Sequence, residues 1–115
     1  MDAGIVFYRR QGDELVGRWS HPSLGGMLAD ERVGGVEPGT FAGSWPVEIS
    51  DPSGSPMFAG RLESVPLGQC FELRWDGEML PARSPAQFVG IGCALDADTL
   101  CATFEAARPP AEEES

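Results

Sequence analysis

Apolar and polar residues alternate with period two through most of this chain, and turn-forming residues interrupt the alternation about once every dozen residues. The clearest stretch is "TFAGSWPVEIS". Phe41, Gly43, Trp45, Val47 and Ile49 share one side of it, and Ala42, Ser44, Pro46, Glu48 and Ser50 the other. A strand so patterned is half-buried. Pro46 cannot donate to a ladder, so an edge or a bulge is expected there. "LVGRWS" places Leu15, Gly17 and Trp19 together, "FAGRLES" Phe58, Gly60 and Leu62, and "CFELRW" Phe71, Leu73 and Trp75. In "FVGIGCAL" the apolar set is Val89, Ile91, Cys93 and Leu95, and in "LCATF" it is Leu100, Ala102 and Phe104. "GIVFYRR" and "MLADERV" carry fainter versions of the same pattern.

"RQGDE", "SDPSGS", "VPLGQ" and "LDADT" are hairpin connections, with Pro66 and Gly68 suited to a type I turn closed by a glycine bulge. The longest connection, residues 78–87, carries two prolines and reads as a wide loop or a lid. No stretch of about ten residues has a helical stripe. The predicted fold class is therefore all-β, an antiparallel up-and-down meander of about eight strands. So long a meander must curl into a small closed or nearly closed barrel, because a flat sheet would leave its apolar face and both edges bare. An eight-stranded barrel has an interior that side chains fill or that holds one small ligand. The expected organisation is a single domain over residues 1–106 and an acidic, disordered tail over 107–115, where "RPPAEEES" has no apolar anchor.

Composition narrows the function. Among 115 residues the net charge is −10, and the basic residues are spread along the chain, which disfavours nucleic acid and anionic membranes as partners. Lys is absent, which removes Schiff-base chemistry and phosphate-binding loops that need it. Asn is absent too, as in GC-rich bacterial coding sequences. No secretory leader or membrane span is evident. Three cysteines without a CxxC pair suggest a reducing cytoplasm. No metal or cofactor motif is present, so no cofactor is expected.

"GRW", "GSW" and "LRW" place a tryptophan late in three strands, twice with a glycine two residues earlier on the same side. Such a glycine makes room for a neighbouring ring. A G-x-W on an early strand, a glycine soon after and a string of hairpins resemble the calycin group of avidin-like, lipocalin-like and fatty-acid-binding barrels. "GRWSHPSLGG" is most similar to the opening of the avidin-like members. The resemblance implies a barrel that binds a small apolar molecule, and no ligand residue is carried over from it.

The aromatic residues Trp19, Phe41, Trp45, Phe58, Phe71 and Trp75 share the inward side and form either an aromatic-lined pocket or a packed core. Glu31 joins them if Met27, Ala29 and Val33 face inward. It would then need an Arg partner or the polar end of a ligand. In the opposite register Leu28 is inward and Glu31 solvated. His21, the single histidine, is either an acid–base or ligand group at the barrel rim or a solvated turn residue. Cys93 and Cys101 are expected as free thiols, Cys93 inward and Cys101 outward, because Leu95 and Leu100 both call for the core. The leading functional expectation is non-catalytic binding of a small, largely apolar ligand inside the barrel. The alternative is an assembly protein, an open barrel with a dry core that pairs with a second copy as a homodimer. An enzyme ranks third.

Overall fold

Eight hairpin-linked strands close on themselves. The computed structural model describes residues 3–107. The strands are β1 (Gly4–Gln11), β2 (Glu14–Ser20), β3 (Ala29–Val33), β4 (Gly43–Ser50), β5 (Pro56–Leu67), β6 (Cys70–Met79), β7 (Ser84–Asp96) and β8 (Thr99–Ala106). Each pairs antiparallel with the next, and β1 also pairs with β8, so the sheet is a closed barrel in meander order. A single 3-10 turn, Pro22–Leu24, interrupts the β2–β3 connection. Apart from Ala107, whose N–H donates to the Gln87 carbonyl at 2.9 Å, the expected tail lies outside the described residues.

The alternation predicts most of the inward set. Leu15, Trp19, Trp45, Val47, Phe58, Leu62, Leu73, Trp75, Leu100 and Ala102 are buried as expected. β1 adds Val6 and Tyr8, and β3 adds Ala29, Glu31 and Val33. Pro46 sits where the ladder stops. β3 pairs with β4 only as far as Val33 and Val47, and the Pro46 carbonyl takes the Gly34 N–H at 3.2 Å. The missing donor therefore falls opposite Gly34, one residue past the end of the short β3, where the regular ladder has stopped.

Several expectations are corrected. In β7 the inward side is the other one: Ile91 and Leu95 are 46% and 65% exposed, and Cys93 is exposed, whereas Gly92 is buried. Trp75, Leu73 and Phe71 of β6 stand opposite Phe88, Gly90 and Gly92 of β7. The reason is steric. A Cβ on Gly90 would lie 1.8 Å from the Thr103 carbonyl oxygen, and one on Gly92 would press on Leu73, Leu100 and Ala102. The glycines belong inside, where close approach demands them, and the β-branched residues are left outside.

The same register places Cys93 directly opposite Cys101, both on the outer face. A bulge between Ala94 and Asp96 absorbs Leu95, so Leu95 and Leu100 do not oppose each other and Cys93 is not inward. One step beyond the last β6–β7 pair, Phe71 and Gly92, Cys70 lies beside Cys93 with the sulfurs 2.7 Å apart. The three thiols are free. The connection at 78–87 is not a wide loop. β6 runs to Met79, β7 starts at Ser84, and only four residues turn between them, the first of which, Leu80, still donates its N–H to the Met57 carbonyl of β5 at 2.8 Å. Pro66 lies within β5 rather than in a turn, and Met27 is exposed rather than inward. Phe41 precedes β4 instead of belonging to it.

The two ends of the barrel differ. At one, the β3–β4 connection folds across the opening, with Val36 and Phe41 buried as a floor. Arg10 holds it there. Its guanidinium donates to the carbonyls of Glu37 (3.0 Å) and Thr40 (2.8 Å) and stacks 4.7 Å over the Phe41 ring. The Val36 N–H reaches the Asp13 carbonyl at 2.8 Å. The other end receives the last residues of β2, β4, β6 and β8, and it is open.

A candidate ligand cavity with one buried carboxyl

A cavity of about 220 Å³ occupies the open end. Its walls are the alternating inward residues of successive strands: Trp19 of β2, Ile49 of β4, Phe58 of β5, Trp75 and Met79 of β6, Phe88 of β7 and Phe104 of β8. Phe104 organises the aromatic part. It makes edge contacts with Trp19, Trp75 and Phe88 at centroid distances of 5.8, 6.1 and 6.3 Å. Edge-to-face pairs of this kind fix ring orientation and add about 0.5–1.5 kcal/mol each beyond burial. Trp19 Nε1–H is satisfied away from the cavity, shared at 3.2 Å between the carbonyls of Asp30 and Ser50. Its ring therefore presents carbon to the interior.

Glu31 is the exception to this apolar wall. It is 3% exposed and lines the cavity from the middle of β3. The Tyr8 hydroxyl donates to its Oε2, and Trp75 Nε1–H donates to the same oxygen at 3.1 Å. Gly17 permits this arrangement. It lies across β1–β2 from Tyr8 and across β2–β3 from Glu31, and a Cβ there would meet the Tyr8 ring at 2.9 Å and the Glu31 Cβ at 3.3 Å. The glycine two residues before Trp19 thus makes room for a tyrosine that bonds the buried acid.

Burial raises the Glu31 pKa from 4.5 to about 7, against the opposing pull of the two hydrogen bonds. Tyr8 is held well above the ordinary phenol range, first by burial and then by the neighbouring carboxylate. Among the described residues no arginine lines the cavity, and the two groups that donate to the carboxyl are neutral.

His21 stands at the mouth, as a rim residue should. It caps the 3-10 turn, accepting the Ser23 N–H on Nδ1 at 3.1 Å, and its ring tilts over Phe104 at 6.3 Å. Turn residue and rim residue are here the same thing. Ser23 and Leu24 of the turn join it in the wall.

Of the residues expected from sequence, Trp19, His21, Glu31, Phe58 and Trp75 come together around the cavity. Phe41, Trp45 and Phe71 do not. Phe41 and Phe71 pack edge to face at 6.2 Å in the closed end, and Trp45 folds its ring over Gly43 beside them in the core. Parity along a strand says which side a residue faces. It does not say how far along the barrel axis the residue sits.

Phe88 and Phe104, which line the cavity, and Tyr8, which bonds its carboxyl, were not among the candidate site residues read from the sequence. Phe88 shares its parity with Gly90 and Gly92, the same pairing of large ring and glycine seen at Trp19 with Gly17, and that signal would have placed it inside. Comparison with protein-family models, with curated proteins and with solved structures finds no match to this chain. Among the described residues, no helix is long and apolar enough to cross a membrane.

Proposed function

We propose that the protein binds a small, largely apolar molecule within the barrel, without catalysis, as the calycin-like barrels it resembles do. The observation that carries this reading is the cavity: carbon-rich walls, one buried polar group and an opening at one end only. Binding sites for small molecules have this composition, apolar with a few placed polar groups that fix orientation. The volume of about 220 Å³ lies below the usual ~300–1,000 Å³ of drug-sized pockets, so the ligand is small. The hydrophobic contribution at about 25 cal/mol per Å² of apolar surface removed from water supports affinity, and Glu31 supports selectivity.

A second reading, assembly with a second copy, draws on the outer face. Ile5 and Phe7 of β1, Val65 and Leu67 of β5, and Ile91 and Leu95 of β7 are exposed. Closure of the barrel removes the free strand edges that an open form would have offered for pairing. Native mass spectrometry of the purified protein, followed by a thermal-shift screen of small aromatic and aliphatic compounds, separates the two. The binding reading expects a monomer whose melting temperature rises with several of these compounds, and a loss of that rise in Met79→Trp, which fills the cavity. A dimer that no compound stabilises would replace the binding reading with the assembly one.

A further inference from the structure

Rings and a lone acid in the same small cavity point to the charge of what enters it. A carboxylate offers about four lone-pair positions, and Tyr8 and Trp75 occupy two of them, both on Oε2. Neither donor carries charge. Each described arginine is engaged or exposed elsewhere: Arg10 at the closed end, Arg18 with Asp30, Arg32 with Glu14, Arg61 with Ser44 and Arg83 with Glu78, while Arg9 and Arg74 lie on the outer surface. A buried carboxylate without a cation is costly, and a cation brought by a ligand offsets that cost. The surrounding rings favour the same sign, since the faces of Trp and Phe attract ammonium groups, most strongly where water is excluded.

We infer that the cavity takes a small primary amine with an aromatic or aliphatic body, its ammonium seated against the Glu31 carboxylate and its body among Trp19, Trp75, Phe88 and Phe104. This rests on the proposed binding function and specifies its ligand class. The groups that face Glu31 are Tyr8 from β1, Gly17 and Trp19 from β2, Ile49 from β4, Phe58 from β5 and Trp75 from β6, with His21 at the mouth. Of these only Tyr8 and His21 titrate. The Glu31 pKa near 7 makes amine binding release a proton at neutral pH, because the bound ammonium favours the carboxylate.

The test is isothermal titration of the full chain with benzylamine, 2-phenylethylamine and hexylamine, each paired with the alcohol of the same skeleton, between pH 5.5 and 8.5. A charge-assisted hydrogen bond in place of a neutral one predicts that amines bind at least about tenfold more tightly than alcohols at pH 8. The preference falls about tenfold per pH unit below 7, as Glu31 takes up its proton. Glu31→Gln keeps an acceptor for Tyr8 and Trp75, loses the amine preference and still binds the alcohols. Equal affinity for amine and alcohol in the wild type overturns the amine assignment and leaves a neutral-ligand cavity. An amine preference that persists in Glu31→Gln overturns it as well, since the acidic surface is then the binding site. The wild-type pH series carries the decision if that variant does not fold. Failure of every amine and every alcohol to bind overturns both the amine assignment and the binding function beneath it.

Discussion

At the scale of single residues, Glu31 is the side chain whose chemistry departs furthest from its surroundings. Its ionisation is harder in the folded protein than in the unfolded chain. Between about pH 4.5 and 7 the folded state therefore holds more protons, and stability falls as pH rises through that window before levelling off above it. A rise from 4.5 to about 7 corresponds to roughly 3 kcal/mol at about 1.4 kcal/mol per pH unit. Asp51 and Asp96 have lowered pKa values, so stability from them is lost as pH falls through the acid range, with the opposite sign. Comparing Glu31→Gln with the wild type isolates the Glu31 contribution. Urea denaturation should show the variant more stable than the wild type at pH 8 by about 1–3 kcal/mol, with the difference vanishing or reversing at pH 4.5. The sequence left the side of Glu31 undecided, because Met27 and Leu28 offered an apolar neighbour to either register of "MLADERV". Both are exposed, at 58% and 52%, and the decision comes from Ala29 and Val33, which must fill space under β2 and β4.

At the scale of elements, β7 shows where hydrophobic pattern and packing part company. Val89, Ile91 and Leu95 are the more apolar set, yet Phe88, Gly90 and Gly92 face inward. Strand-to-strand approach across β8 leaves no room for a Cβ at Gly90, and that contact outranks the gain from burying Ile91. Reversing β7 also brings three cysteines into a row across the outer face of β6, β7 and β8. Two thiols whose sulfurs lie 2.7 Å apart on paired antiparallel strands have backbone spacing compatible with a disulfide. Treatment with diamide should take two electrons and two protons from Cys70 and Cys93 and join them. Peptide mapping should recover Cys70 linked to Cys93, with Cys101 still alkylatable, and Cys70→Ser should abolish this cross-link. Recovery of Cys93 linked to Cys101, which stand opposite each other across β7 and β8, would contradict the closer approach of Cys70 to Cys93. The Cys93 thiol holds the Cys70 thiol above its usual pKa, so the reaction should quicken as pH rises.

At the scale of the whole molecule, one end of the barrel is closed by a folded connection and the other is left open above Glu31. The meander and its closure were legible in the alternation, since eight half-buried strands joined by short turns have few other ways to cover one apolar face. The division into floor and cavity was not. It depends on where residues 34–42 fold: 34–39 have no periodicity, and the alternation that begins at Phe41 assigns that ring to a strand rather than to a floor. Arg10 sits at the end of an apolar strand and reads from sequence as an ordinary surface charge, yet it anchors the floor through two carbonyls and the Phe41 ring. Arg10→Ala should lower stability by roughly 2 kcal/mol, from the lost hydrogen bonds and ring contact, in a thermal or urea melt. Ligand affinity at the opposite end should be unchanged at a temperature where the variant is folded. A parallel loss of affinity would mean that the two ends are not independent. The most direct measurement of the account is the carboxyl carbon shift of Glu31 followed by NMR against pH. A midpoint near 7 that drops when 2-phenylethylamine is added is expected; a midpoint near 4.5, unmoved by the amine, would show that Glu31 is neither desolvated nor the ammonium's partner.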